Sequence, residues 1–343
     1  MKHLLVIRLS AMGDVAMTVP VIKALTEQNP HLKITFLSKA FLKPLFDDLS
    51  NVTFCTAKTE HEHKGVLGLY KLYKELKKEK IDGVADLHNV LRSKILILFF
   101  KFSKIKTITI DKGRCEKKAL TNSRKKKFKQ LRSTHERYAD VFRKIIGPLD
   151  LSTPTFSSPI KLSHKIQSIF EHSDKKTKLV GIAPFAQYRS KTYPIDLMEQ
   201  VIKQVSEREN LKVLLFGGGT KEIEILNKLE EKFKRVFCIA GKLTLKEELS
   251  LISNLSCMLS MDSGNGHFSA IYGVPTITLW GVTHPYAGFS PFHQPKENAI
   301  IPDLKKYPKI PCSVYGKKVF PGYEYVMKSI SPKVVTQAIL SVL

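Results

Sequence analysis

Two doubly wound α/β domains are the architecture this sequence predicts, and three observations carry it. Short apolar runs alternate with helical segments along nearly the whole chain, the pattern of parallel sheets covered by helices on both faces. The length, 343 residues, exceeds one typical core and suits two of about 150 to 170 residues. Between the halves, residues 150–175 are rich in Ser, Thr, Pro and Lys without periodicity, which predicts a boundary there. The expected division is 1–160 and 175–330, followed by a last helix over 331–343.

The first strand, Leu4–Leu9, meets the turn Ser10-Ala11-Met12-Gly13-Asp14. A segment from Val15 to Gln28 follows, with Val15, Val19, Ile22 and Leu25 at helical spacing. Pro20 fits either a late helix start or a kink. With Ile34–Leu37 as the next strand, this is a β-α-β unit. Gly83–Leu87 and Thr107–Ile110 read as further strands. A helix over Gly68–Lys78 puts Leu69, Leu72, Tyr73 and Leu76 on one face, and another over Thr134–Ile146 is stopped by Gly147-Pro148. The second half restarts with strands at Leu179–Ala183, Lys212–Phe216, Val236–Ile239, Met258–Met261 and Thr276–Leu279. Helices over Ile195–Val205, Glu222–Phe233, Leu245–Ser253 and His267–Tyr272 alternate with them, and Pro332–Leu343 is a helix with no strand after it.

Hydrophobic content of 43% with 25% charged residues is ordinary for a globular protein. No apolar run reaches the 18 to 20 or so residues that span a bilayer, and Ile95–Phe100 is flanked by Lys94 and Lys101. Arg8 interrupts the first apolar run and no small-residue cleavage site follows, so no signal peptide is expected. Five cysteines, odd in number and without a C-x-x-C pair, suggest neither a disulfide framework nor a zinc site. A cytoplasmic protein is expected.

The charge departs from the ordinary. The net value is +25, and residues 112–132 hold ten Lys or Arg against one acid, Glu116. A solvated loop, a nucleic-acid patch and a surface for anionic lipid all fit such a run. Only Phe128 is interleaved as an aromatic, and no helix-turn-helix, RNP or zinc-finger spacing occurs. An anionic membrane surface or phosphorylated glycolipid fits as well and is the expectation, with a solvated loop left open and no nucleic acid expected.

Two junctions carry chemistry. At Asp262-Ser263-Gly264-Asn265-Gly266-His267 a strand breaks and restarts as a helix, leaving unpaired backbone N–H groups at the helix start. Those donors, the helix dipole, the Ser263 hydroxyl and the His267 ring suit a phosphate, although Ser263 also fits a plain helix cap. At the N-terminal junction there is no GxGxxG, so no dinucleotide fingerprint. One carboxylate, Asp14, stands instead at the carboxyl end of the first strand, as a ligand-facing group or a helix cap. Lys191, in the loop after Leu179–Ala183, shares the carboxyl edge with Ser263. There is no Asp-x-Asp pair or His/Glu cluster for a metal, and no G-x-S-x-G or Walker A sequence. Protein groups must then neutralise any diphosphate; neither metal nor cofactor is expected.

Arg8-Leu9-Ser10-Ala11-Met12-Gly13-Asp14 with Pro20, and Asp262-Ser263-Gly264 with His267, Pro275 and Gly281-Val282-Thr283-His284-Pro285, resemble glycosyltransferase family 9, the ADP-heptose:lipopolysaccharide heptosyltransferases. Between them Asp86-Leu87-His88, His135-Glu136-Arg137, Lys191 and Phe216-Gly217-Gly218-Gly219 keep the order. The resemblance implies a GT-B fold, two Rossmann-like domains facing across a cleft, with the last helix crossing back to the first. It implies metal-independent, inverting transfer of heptose from ADP-L-glycero-D-manno-heptose to an inner-core Kdo-lipid A acceptor, by an enzyme peripheral to the inner membrane. Asp14 carries over as general base, with Lys191 and His267 also catalytic. Donor contacts carry over to Lys191, Glu222, Leu243, Asp262, Ser263, Gly264 and His267, and acceptor contacts to Ser10, Gly13, His88 and Arg137. Ala186-Gln187 stand where relatives often carry hydroxyl residues. Two other readings stay open at this point: a GT-B sugar-nucleotide epimerase, and a non-catalytic basic protein binding RNA or membrane.

Overall fold

The computed structural model describes residues 1–170 and 177–343. It divides into two compact units, Met1–Gly113 with Arg132–Thr155, and Arg114–Leu131 with Phe156–Leu343. Positions 171–175 of the expected boundary lie outside the described residues.

The first unit is built on five parallel strands, β1 (His3–Ile7), β2 (Lys33–Ser38), β3 (Val52–Thr56), β4 (Gly83–Asp86) and β5 (Lys106–Thr109), in the order β3-β2-β1-β4-β5. Leu4 of β1 aligns with Ile34 on one side and Gly83 on the other. That central place explains why Leu4 to Ile7 are apolar without alternation: both faces of β1 are covered. Edge strand β3, Val-Thr-Phe-Cys-Thr, has no counterpart among the strands expected from sequence, because an edge strand is partly solvated and carries a weaker apolar signal. The segment after β1 forms two helices, Met12–Ala16 and Val19–Gln28, and Pro20 stands at the start of the second, where its missing N–H costs nothing. Helices Gly65–Lys77 and Leu91–Phe102 pack on each other. Leu69, Leu72, Tyr73 and Leu76 point inward as their spacing requires.

The second unit has six parallel strands, β6 (Lys178–Ala183), β7 (Leu211–Leu215), β8 (Val236–Cys238), β9 (Cys257–Met261), β10 (Thr276–Leu279) and β11 (Ala299–Ile300), in the order β11-β10-β9-β6-β7-β8. Each sheet reverses its winding direction once, between β1 and β4 and between β6 and β9. Loops leaving the carboxyl ends of those strands border a crevice, the usual place for a ligand in open α/β sheets.

Two expectations are corrected. The basic run was assigned to the first domain, within 1–160, yet Arg114–Leu131 belongs to the second unit. Leu120 and Leu131 are buried there in a small cluster with Ala287, and the Leu131 N–H donates to the Tyr286 carbonyl. The last helix was expected on the first domain. Pro332–Ser341 instead packs on Ile195–Ser206 of the second unit, whose core takes Val335 and Ile339. Its apolar stripe finds its partner in the unit that precedes it in sequence. Among the described residues no helix is long and apolar enough to cross a membrane.

Candidate active site

In the first unit the site begins with a charge inside an apolar strand end. Arg8 follows β1 and is buried, and its guanidinium is anchored by the Leu87 carbonyl at 2.7 Å. A second guanidinium nitrogen lies 2.6 Å from Asp14 Oδ2, with side-chain exposures of 7% for Arg8 and 29% for Asp14. The same oxygen accepts from the Ala11 N–H at 3.3 Å, and the Tyr138 hydroxyl donates to the Asp14 carbonyl. Asp14 is thus in the first turn of Met12–Ala16 and is not its N-cap, the position of Ala11. A planar, always charged guanidinium fixes the carboxylate's direction better than a single ammonium could.

Beside it, after β4, Asp86 is buried and accepts from the His88 and Asn89 N–H groups and the Ser93 hydroxyl. This sets the turn that holds His88, whose Nε2 lies 3.4 Å from Ser10 Oγ. Burial, helped by Arg8 and Lys112, pushes the His88 imidazole down to about 3, so it is neutral near pH 7. Ser10, Asp14 and His88, all anticipated, come together at the β1–β4 crevice, with Gly13 in the intervening turn. Arg137 is buried with its guanidinium against Gly113 and directed at the Asp111 and Arg132 carbonyls.

In the second unit Lys191 and Asp262 meet across the β6–β9 crevice. Lys191 Nζ is 3.1 Å from Asp262 Oδ2, with side-chain exposures of 12% and 10%. Thr283, after β10, donates its hydroxyl to the same oxygen at 2.9 Å. The lysine stem lies against Gly316, which has φ +88°, and a Cβ there would come within 2.7 Å of it. The Ser190 carbonyl, next in the chain, accepts from the Val282 N–H, and a Cβ on Gly281 would sit 2.2 Å from that oxygen. Lys191 is therefore held from three directions.

Ser263 opens helix Gly264–Ile271 in an extended conformation. Its hydroxyl makes no cap hydrogen bond and pairs with Ser260 Oγ at 3.1 Å, so plain capping is not its task. The first backbone N–H groups of that helix lack intrahelical partners by geometry, and His267 lies buried in its first turn. Glu222 accepts from the Gly218 N–H at 2.9 Å and closes the glycine turn after β7. Leu243 is half-buried after Gly241, whose absent Cβ leaves room for Ile223 of the Glu222 helix. The residues expected on the donor side thus follow the carboxyl ends of strands of one sheet. Among the described residues no group of three or more His, Cys, Asp or Glu is placed to hold a metal ion.

The basic run is partly consumed in packing. Phe128 meets His284 edge-on and Tyr286 at a tilt, with centroids 5.2 and 5.0 Å away, and Lys126 is half-buried with Nζ toward the Pro311 carbonyl. Arg124, Lys125 and Lys127 remain exposed.

Two participants were not anticipated as site residues. Arg8 signals itself only as a charge closing an apolar strand, and Thr283 only as a hydroxyl after one.

The chain is similar to known proteins throughout. Residues 69–319 match the family described as Glycosyltransferase family 9 (heptosyltransferase). A lipopolysaccharide core heptosyltransferase, OpsX, of Haemophilus influenzae is 27% identical over 293 residues, covering 83% of this chain and 80% of that one. Lipooligosaccharide heptosyltransferase 2 of the same organism is 28% identical, covering 82% and 84%. Among solved structures, a family 9 glycosyltransferase of Veillonella parvula superposes with a TM-score of 0.75 at 19% identity, covering 99% of this chain and 97% of that one. An Escherichia coli heptosyltransferase, WaaC, solved with ADP-2-deoxy-2-fluoro heptose, gives 0.68 at 18% identity, covering 99% of each. The fold is that of these GT-B enzymes. By its family match the chain is an enzyme rather than a non-catalytic binding protein, and it belongs to glycosyltransferase family 9, the heptosyltransferase family.

Proposed function

We propose that this enzyme transfers heptose from ADP-L-glycero-D-manno-heptose to an inner-core, Kdo-lipid A type lipopolysaccharide acceptor, with inversion and without a metal ion. The relatives' names support the substrate class, and two E. coli structures with ADP or an ADP-heptose analogue support the donor. The observation that carries the reading is Lys191, held by Asp262 beside the N-terminus of Gly264–Ile271. A half-buried ammonium, a helix start and the His267 ring form a preorganised positive site for a leaving diphosphate.

The chemistry is one displacement. An acceptor hydroxyl oxygen bonds to the anomeric carbon as the bond from that carbon to the β-phosphate oxygen breaks. The transition state is oxocarbenium-like, with negative charge growing on the leaving phosphate. Lys191 and His267 take up that charge; Glu222 and Leu243 hold the nucleoside, and Asp262, Ser263 and Gly264 the diphosphate and sugar. Asp14 accepts the hydroxyl proton, its carboxylate aimed by Arg8, while Ser10, Gly13, His88 and Arg137 shape the acceptor side. The enzyme works at the cytoplasmic face of the inner membrane, where a lipid-borne acceptor is presented.

A donor screen tests this. ADP-heptose should bind and support transfer to a Kdo-lipid A acceptor, while UDP- and GDP-sugars should do neither. Turnover of the nucleotide sugar without any acceptor, or a preference for another base, overturns the proposal.

A further inference from the structure

The first unit carries an apolar stripe of which its own core takes only Ile95 and the adjoining Phe99. On helix Leu91–Phe102, Leu91, Ile95, Leu98 and Phe102 fall at intervals of four, three and four residues, one face of a helix. Leu91 and Phe102 are 74% and 76% exposed. On the neighbouring helix Gly65–Lys77, Leu67 is 84% exposed, and Val66 and Tyr70 are also open to solvent. The two sets join where the Tyr70 ring meets Phe99 edge-on, with centroids 5.3 Å apart. Single exposed apolar residues mean little, but a continuous patch of this kind marks a contact surface.

The charge around the stripe identifies the contact. The two helices carry six basic residues, Lys71, Lys74, Lys77, Arg92, Lys94 and Lys101, against one acid, Glu75, which is engaged by His63 at 3.2 Å. Lysine is depleted at the centres of protein–protein interfaces. An apolar face flanked by lysines is instead the pattern of helices that lie in the headgroup layer of a bilayer.

We infer that the paired faces of Gly65–Lys77 and Leu91–Phe102 dock this enzyme on an anionic lipid bilayer. The apolar side chains enter the acyl boundary, and the six cations lie at the phosphate level. Leu91 begins only three residues after His88, so the docked face adjoins the end of the first unit that holds Ser10, His88 and Asp14. This purpose rests on the proposed lipid-borne acceptor; the surface itself does not. The basic run 112–132 is secondary here, since its Phe128 and Lys126 are occupied within the second unit.

The test is co-sedimentation of the full chain with vesicles of phosphatidylethanolamine and phosphatidylglycerol, against vesicles of phosphatidylcholine. Wild type should sediment with the anionic vesicles only. The triple variant Leu67→Ser, Leu98→Ser, Phe102→Ser, all at exposed sites, should lower that partition by about tenfold or more. Its thermal midpoint and its transfer to a delipidated acceptor should stay as in wild type. Arg124→Ser, Lys125→Ser, Lys127→Ser should leave the partition essentially unchanged. Absence of wild-type binding, or binding lost only in the basic-run variant, overturns the inference. So does a dimer in ultracentrifugation that the apolar triple variant dissolves, which would make the patch a contact between two copies. Vesicle binding that persists in a protein inactive with every donor supports the surface and removes only the acceptor reading.

Discussion

In the first unit the cation is the buried member of the pair and the acid is presented; in the second, the acid is the anchor and the cation the working group. Arg8 is fixed by the Leu87 carbonyl and leaves Asp14 partly open to solvent. Asp262 is fixed by Thr283 and steers Lys191, whose stem is packed against Gly316. Both pairs stand at the carboxyl edge of a parallel sheet, where winding reverses. Under the proposed mechanism one scaffold serves two opposite needs. A proton acceptor must reach a hydroxyl, which suits a carboxylate left accessible. A group that stabilises a leaving phosphate gains from a preset position, which suits an ammonium mostly shielded from solvent.

The largest effect should come from the exposed acid. Asp14→Asn keeps the shape but removes the proposed base, and turnover should fall by roughly 10² to 10⁴ with donor affinity unchanged. Steady-state kinetics with isothermal titration of donor checks both halves. Turnover within about threefold of wild type, far below the effect of losing a base, would mean that the pair in the first unit is structural.

Lys191→Ala comes next, at roughly 10² to 10³ in turnover, the usual scale for one preorganised charge-stabilising donor. Here donor binding should weaken as well, because ground-state diphosphate also meets the ammonium. An effect confined to turnover would show that Lys191 acts only as charge develops, and would make the two units more alike than their burial suggests.

The smallest effect concerns stability and reads each unit through its own histidine. An unfolded imidazole takes a proton near pH 6.5. In the folded protein His88 does so only at about 3 and His284, buried and near Lys126, at about 4. Between those values and 6.5 the unfolded chain binds more protons. Stability is therefore full above about pH 6.5 and is lost as pH falls toward 3 or 4. From pH 7 to pH 5 the loss should be on the order of 2 kcal/mol for each buried histidine. His88→Gln and His284→Gln should each flatten the pH dependence of thermal unfolding. If one of them leaves the pH dependence unchanged, that histidine binds its proton alike in the folded and unfolded chain and contributes nothing to the acid loss.

The second unit's site was the more legible of the two in sequence. A strand that breaks at Asp262-Ser263-Gly264 and restarts as a helix advertises a phosphate site through local chemistry, and Lys191 falls on the same edge by topology alone. Arg8 and Thr283 gave no such signal, because an ion pair or a hydroxyl contact depends on which loops the sheet order makes neighbours. Strand β3 was missed because an edge strand with one solvated side has little apolar contrast. The basic run misled for a related reason. Its composition describes its charged residues, whereas its position is decided by Leu120, Leu131 and the ring of Phe128, which find partners far away in sequence. The terminal helix was legible as a helix; its docking partner was not, since an apolar stripe states that burial is needed and leaves open where.

The glycines around Lys191 set limits on how the proposed donor site can be altered. At Gly281 a single methyl would press on a main-chain oxygen, and at Gly316 the backbone occupies a region that side chains rarely adopt. A library meant to change nucleotide preference would lose most of its members if it varied those two positions. Diversity placed at Ala186, Gln187 and Leu243 explores new donors while the ammonium stays where it is, whereas a change at Glu222 also releases the Gly218 N–H.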